Sequence, residues 1–392
     1  MYNNVESCYN KFIVLGGFMS IILYIGVFIL NIIYIFLKLF PTKNKIVFIS
    51  RQSDKPSLDF RMLAKEINKT DNTIKIVFLN KRTRKNIKDN LKNIKNTFFQ
   101  MYHLATSKVC ITDGYNITIS NLKHKKNLTI IQMWHALGAI KKFGYQTLNT
   151  PRKIKIAKIL HMHKNYDYII SGSKAMTRYF LKAFNYPQSY FVNLGLPRID
   201  YILSYNKINR NKIYKKYPEL IKRKTILYVP TFRDDNNYKI DELVNNVNLN
   251  KYALIIKEHP NMNIDKSRKI KNLFYCEDFT SLQLLSIADI VVTDYSAISI
   301  EASILEKPVY LYVYDYEEYR NNPGLNIDLE KAFPRYVFKD AKSLFENIDK
   351  NKYDLNVIRN FKNKYICNTH GTVTKNICNF ILKKGVYYDK EN

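Results

Sequence analysis

The sequence predicts an α/β protein, two doubly wound parallel sheets facing a cleft, preceded by an N-terminal membrane helix. Three observations carry that prediction. From residue 41 onward, short β-branched and aromatic runs alternate with longer amphipathic stretches, the pattern of parallel strands covered by helices on both faces. A stretch rich in Lys, Asn and Tyr, residues 197–223, divides these runs into two series. Ahead of both lie residues 12–37, which are 26 in number and carry no charged side chain.

That first segment, as a helix, measures roughly 39 Å at about 1.5 Å per residue, enough to cross a hydrocarbon core of ~30 Å with tilt. A signal peptide would have a shorter apolar region, about 7–15 residues, ending in a small-residue cleavage site, and no such site is found. Glu6 and Lys11 cancel before the segment, whereas Lys38, Lys43, Lys45 and Arg51 follow it. The positive-inside rule then places the rest of the chain in the cytoplasm, against the cell membrane.

The first series of strands is expected at 45–50 (KIVFIS), 73–79, 108–112, 128–133 (LTIIQM) and 168–171. The second follows at 225–229 (TILYV), 252–257, 290–293 (IVVT) and 309–313 (VYLYV). Helical patterns between them include 58–67, 175–183, 281–288 and 299–305, and two more close the chain at 355–365 and 373–382. The expected organisation is an anchor over 1–42, one Rossmann-like domain over 43–205 and a second over 206–392. Such sheets bind ligands at the C-terminal ends of their strands.

Composition narrows the function. With 46% hydrophobic and 24% charged residues in 392, the chain is not disordered. Its net charge of +30 predicts attraction to polyanions: nucleic acid, anionic lipid or a phosphate-rich substrate. Five widely spaced cysteines without a Cys-x-x-Cys pair argue against zinc and against a disulfide framework. No GxxxxGK[ST] or GxGxxG loop is present, so neither a P-loop ATPase nor a dinucleotide enzyme is supported, and no cofactor or metal is expected.

Four strand ends carry the candidate chemistry. In 290–310 a strand ends at Thr293-Asp294, turns at Tyr295-Ser296 and enters a helix, whose free N–H groups attract anions. Glu301, one turn inside, suits ribose hydroxyls. In IIKEHP (255–260), Lys257 and His259 alternate onto one face and suit a transferring phosphoryl group. In YVPTFRDD (228–235), Thr231 and Arg233 can bond phosphate oxygens, and the adjacent Asp234 and Asp235 read as a solvated turn. In QMWHALGAIKKFG (132–144), His135 follows a strand and suits a general base at neutral pH. Lys141 and Lys142 suit an anionic acceptor or a wet surface.

Taken in order, QMWHALGAIKKFG, GLPRID (195–200), YVPTFRDD, KEHP and TDYSAISIEASILEKPVYLYVYDYEEY resemble the CDP-glycerol glycerophosphotransferase family of teichoic acid synthesis. The likeness spans about residues 100–380, with departures from the common pattern at Ala136, Ala297, Glu301 and Arg335. It implies a GT-B architecture with the active site between two Rossmann-like domains, and transfer of glycerol phosphate from CDP-glycerol to a hydroxyl, releasing CMP. It implies His135 and His259 as catalytic residues and Thr231, Arg233, Lys257, Thr293, Asp294, Ser296 and Glu301 as donor contacts. Lys141, Lys142 and Arg198 are further candidates on the acceptor side.

The resemblance also implies work at an anionic membrane surface, on a lipid-linked or polymeric acceptor, beside other cell-wall polymer enzymes. CDP-ribitol is the alternative donor. A GT-B nucleotide-sugar glycosyltransferase would show a similar phosphate-gripping turn. A nucleic-acid-binding protein rests on charge alone, without an RNA-binding signature such as RNP1, so nucleic acid is not an expected partner.

Overall fold

The first series of apolar runs forms a six-stranded sheet of β1 (Lys43–Ser50), β2 (Lys75–Asn80), β3 (Ser107–Thr112), β4 (Thr129–Gln132), β5 (Tyr168–Ser171) and β6 (Phe191–Asn193). The second forms β7 (Lys224–Val229), β8 (Tyr252–Ile256), β9 (Leu273–Phe274), β10 (Ile290–Thr293), β11 (Val309–Tyr312) and β12 (Val337–Phe338). The computed structural model describes residues 2–82, 87–233, 238–259, 262, 264, 266, 269–350 and 352–387, the side chains of 2–19 and 87–93 excepted. Asp234 and Asp235 lie outside the described residues.

Strand order is β2-β1-β3-β4-β5-β6 in one sheet and β12-β11-β10-β7-β8-β9 in the other, and every pairing between these strands is parallel. Both are doubly wound, with order reversing between β1 and β3 and between β7 and β10. Ligand crevices open at such reversals. Side chains such as Ile46, Phe48, Ile111, Ile226, Leu254 and Val291 are fully buried. Burying each aliphatic side chain contributes about 1.5–3 kcal/mol, which is why these runs read as continuous apolar stretches.

Helices cover the sheets. The six that matter below are α1 (Tyr2–Leu37), α2 (Leu58–Thr70), α3 (Ile87–Ala105), α4 (Arg198–Ser204), α5 (Ile298–Ile304) and α6 (Val373–Ile381). In α1, residues Ser20–Leu37 have a mean hydropathy of 2.5, so length and composition suit a membrane crossing. Its C-terminal turns are docked on protein. Asn31 Nδ2 donates to the Asn121 carbonyl at 2.9 Å and Asn31 Oδ1 accepts from the Lys123 N–H at 3.1 Å. Buried Tyr34 donates its hydroxyl to His124 Nδ1 at 3.0 Å, because the other ring nitrogen is used on the Ile119 carbonyl. Ile21, Ile25, Phe28, Ile32 and Phe36 stay exposed.

Lys45, counted above among the flanking cations, is instead buried in β1 and donates to Thr106 Oγ1. Burial first, then Lys43 and Lys75, push it down to about 8. The C-terminal end of the chain also departs from a simple two-part division. α6 packs on α2, and its first N–H groups are capped by Asp200, which accepts from Val373 N at 3.1 Å and Thr374 N at 2.7 Å. The segment after residue 372 therefore returns to the first sheet.

The two lobes also touch through the 140–142 loop. Lys142 N donates to the Gly324 carbonyl at 2.9 Å, and Asn326 N donates to the Ile140 carbonyl at 2.8 Å. This short antiparallel crossing fixes one wall of the cleft.

Candidate active site

The strand C-termini of both sheets open on one cleft of about 960 Å³. Of the residues singled out above, His135, Lys141, Lys142 and Arg198 line it from the first lobe. Thr231, Lys257, His259, Ser296 and Glu301 line it from the second. Arg233, Thr293 and Asp294 do not; they stand behind the wall.

His135 lies just past β4, beside the strand reversal of the first sheet. Its Nδ1 is 2.9 Å from the Asp113 carbonyl. A carbonyl only accepts, so Nδ1 carries the proton and Nε2 keeps its lone pair. Enclosure in the cleft, reinforced by the Arg198 and Lys141 cations, pushes the imidazole down to about 4, while the residue stays exposed on the cleft surface. The ring is thus neutral at pH 7 and able to accept a proton. It lies against Trp134, with centroids 4.1 Å apart, and Trp134 in turn stacks on Phe143 at 4.3 Å. Trp134 holds φ at 62°, a left-handed backbone that bulky side chains rarely adopt. The Gln132 side chain supports the turn by accepting from Trp134 N at 2.8 Å.

In the second sheet, β7 and β10 pair from Ile226↔Ile290 to Val229↔Thr293, so their following turns arrive together. Asp294 ties them. It is fully buried and accepts from Thr231 N at 2.9 Å, Thr231 Oγ1 at 2.7 Å, Tyr295 N at 2.6 Å and Arg233 Nη1 at 2.9 Å. Thr293 spends its hydroxyl on the Val229 carbonyl at 2.7 Å. Arg233 meets Asp315 through Nε at 2.6 Å and Nη2 at 3.0 Å, and lies 4.5 Å from the Tyr314 ring centroid. Burial works against the Asp315 carboxylate, but Arg233 outweighs it and holds the group below its ordinary range. In this structure the Arg233 guanidinium stands behind the wall, paired with carboxylates, and the Thr231 proton is already given to Asp294.

What the second lobe presents to the cleft is Lys257, His259 and the turn at Ser296. Burial lowers both Lys257 and His259. The backbone N–H groups of Ser296 and Ala297 point to no partner among the described residues, and both residues line the cleft.

Lys141 is the cation that both histidines share. It comes from the first lobe, lowers His135 and His259 alike, and is drawn to Asp294 against the desolvation that lowers it. Its ammonium lies 5.8 Å from the Tyr319 ring centroid, and Tyr319 is stacked on Tyr295 at 3.9 Å. Lys142 is exposed and runs along Gly324. Arg198 reaches Glu301 Oε1 at 2.7 Å and Asp59 Oδ2 at 2.6 Å, so the ribose role expected of Glu301 has only Oε2 left to it.

Sequence reasoning missed Asp59, Asp113 and Asp315. Asp113 is buried; Ser50 Oγ donates to its Oδ2 at 2.8 Å, while Oδ1 has no hydrogen-bond partner among the described residues. Burial above all pushes its carboxyl up to about 7. The one available signal was its place after an apolar strand, in CITDG, matching the TDYS turn of the second sheet. Among the described residues, no three His, Cys, Asp or Glu side chains are grouped to hold a metal ion.

With this geometry in hand, likeness to known proteins is informative. The profile of a family described as CDP-Glycerol:Poly(glycerophosphate) glycerophosphotransferase matches residues 32–383. The teichoic acid glycerol-phosphate primase of Bacillus subtilis (strain 168) is 32% identical over 291 residues, covering 72% of this chain and 75% of that protein. The teichoic acid ribitol-phosphate primase of Bacillus spizizenii is 29% identical over 353 residues, covering 86% and 90%. Among solved structures, a variant of the wall teichoic acid polymerase TagF superposes with a TM-score of 0.70 at 18% identity, covering 93% of this chain and 97% of that one. That last likeness supports the two-sheet fold.

Proposed function

Because the chain belongs to the CDP-glycerol:poly(glycerophosphate) glycerophosphotransferase family, we propose that its cleft moves glycerol phosphate from CDP-glycerol to a hydroxyl of a lipid-linked or polymeric acceptor in teichoic acid synthesis. The observation that carries the reading is His135: neutral, locked by Asp113 with Nε2 unprotonated, and sharing Lys141 with His259 across one cleft.

An acceptor hydroxyl attacks the β-phosphorus in line with the departing CMP. His135 Nε2 takes the hydroxyl proton, a contribution of about 10²–10⁴-fold for a typical base. Lys141, Lys257, His259 and the N–H groups of Ser296 and Ala297 balance the charge on the β-phosphoryl group and on CMP. Phosphoryl transfer depends chiefly on such positioned charge. Asp294, Thr231 and Arg233 shape the turns that carry these groups, and Glu301 Oε2 serves a ribose hydroxyl. CMP leaves as a phosphate and requires no strong acid.

The exposed apolar face of α1 and the cations Lys38, Lys43 and Arg51 that follow it support a cell-membrane location with the cleft on the cytoplasmic side. A +30 chain held there also retains an anionic polymer by a salt-sensitive attraction. Ribitol phosphate is the second reading, favoured by the ribitol-phosphate primase likeness over most of the chain.

The test incubates the protein with CDP-glycerol and CDP-ribitol in parallel and follows CMP release and product size. Glycerol transfer predicts faster release from CDP-glycerol; His135→Ala and His259→Ala then lose most turnover while donor binding stays within about threefold, the pattern of transition-state groups. Release from neither donor overturns the reading.

A further inference from the structure

The guanidinium of Arg198 joins α2 to His135 and Glu301, two residues that the proposed reaction needs in register. It stands at the start of α4, where the chain leaves the first sheet through Gly195, whose φ is +81°. Nε and Nη2 hold Asp59 Oδ2 of α2 at 3.0 and 2.6 Å, and the Arg198 backbone N–H holds Asp59 Oδ1 at 2.8 Å. Nη2 also donates to the backbone carbonyl of His135 at 3.0 Å. Nη1 crosses to the other lobe and donates to Glu301 Oε1 at 2.7 Å. Glu301 sits about one turn after Ser296, on α5, the helix whose leading turn at Ser296 and Ala297 lines the cleft.

We infer that Arg198 is a positioning residue: a clasp that sets the distance between His135, on the acceptor side, and the donor-gripping turn of α5. Three features distinguish this from ordinary surface pairing. The side chains of Asp59 and Glu301 are 4% and 7% exposed, so the pairs are shielded from water and salt. The side chain makes four hydrogen bonds from three nitrogens, which the five-donor fork of a guanidinium supplies and the three N–H groups of a single ammonium nitrogen do not. The triad sets two carboxyl groups, one of them raised by burial, against one cation, so it offers no net positive charge to a diphosphate. Attraction of the donor therefore does not explain it, whereas fixing geometry does.

This inference rests on the reaction proposed above, and its test separates the two. Arg198→Lys and Glu301→Ala each remove the bridge between lobes. Each should lower kcat about 100-fold, the scale expected of a misplacement near 1 Å; KM for CDP-glycerol should change less than about threefold in Arg198→Lys, and rise in Glu301→Ala only by the loss of the Oε2 ribose contact. Glu301→Gln keeps an acceptor oxygen for Nη1 and should recover most of the Glu301→Ala loss. Amide hydrogen exchange of the full-length protein supplies a readout without substrate. Residues 133–138, in the opposite lobe from Glu301, should exchange about tenfold faster in Glu301→Ala, a local-opening signature.

Unchanged exchange at 133–138 in both variants, or a kcat loss that merely tracks the unfolded fraction, overturns the clasp. A raised KM at unchanged kcat also overturns it, by making Arg198 a donor-binding group. Should the wild type release no CMP from either CDP-alditol, the proposed reaction falls, and the exchange data still judge the clasp.

Discussion

Replacing Arg233 with Met separates two roles that the sequence leaves equivalent. A guanidinium just past a strand end fits a phosphate as well as a carboxylate, and the structure gives Arg233 the second partner. Four of its hydrogen bonds are lost in the variant: two to Asp315, one to Asp294 and one to the Thr231 carbonyl. Asp294 is fully buried and the Asp315 side chain is 17% exposed. Both keep neutral donors, from Thr231 and Tyr295 for Asp294 and from Tyr295 for Asp315, but each loses the cation in direct contact with it, and only Asp294 keeps a more distant one, Lys141. Removing one partner from a buried pair costs about 3–5 kcal/mol, and Met recovers little of that. Urea unfolding followed by circular dichroism should show a loss of that size. The folded variant, assayed cold, should bind CDP-glycerol within about fivefold of wild type. A direct phosphate contact would instead leave stability intact and remove about 1.5–3 kcal/mol of donor affinity, the worth of a charged hydrogen bond. Wild-type stability with weakened donor binding refutes the assignment.

Other predictions follow from the same geometry. Asp113 has its carboxyl raised to about 7 from an ordinary 3.8. Its contribution is fully present below the unfolded value and is lost as pH rises through the folded one, in total about 4 kcal/mol at 1.36 kcal/mol per unit. Asp113→Asn should therefore flatten stability between pH 4 and 7 and exceed wild type at pH 8; a parallel pH dependence in the variant contradicts this. His135 is lowered to about 4, so its basic form persists as pH falls. The kcat/KM profile, which reports the free enzyme, should hold a plateau from pH 7 to about 5 rather than decline near 6.5, and a midpoint at 6.5 would place the ring in ordinary solvent. Tyr34, 1% exposed at the foot of α1, should cost about 3–5 kcal/mol as Tyr34→Ala, the range for large aromatic truncations. A negligible cost would make α1 a loose tether.

Much of the fold was legible because parallel strands buried on both faces need unbroken apolar runs. The runs at 168–171 and 290–293 coincide with β5 and β10, that at 128–133 exceeds β4 by one residue at each end, and that at 225–229 starts one residue after β7 does. β6, β9 and β12 were missed. They are edge or near-edge strands of two or three residues, too short for periodicity to register. At the site, the sequence puts His135, Lys257 and His259 at strand ends, and the structure brings all three to one cleft. The surroundings of a side chain were not legible where a tertiary partner sets them. Arg198 and Glu301 are 103 positions apart, and Arg233 and Asp315 are 82 apart; nothing local in the sequence announces either pair. Lys141 looked equally suited to a wet surface until the 140–142 loop was seen locked against residues 324–326.

The central claim is that imidazoles from opposite sheets address a single diphosphate, His135 from the acceptor side and His259 from the donor side. A structure of the full chain as the His135→Asn variant with CDP-glycerol bound tests it most directly. The account predicts the β-phosphate at the turn of Ser296 and within hydrogen-bond reach, about 2.6–3.2 Å, of the Lys257 or His259 side chain, with its far face open toward residue 135. A diphosphate held by Arg233, or turned away from residue 135, would contradict it.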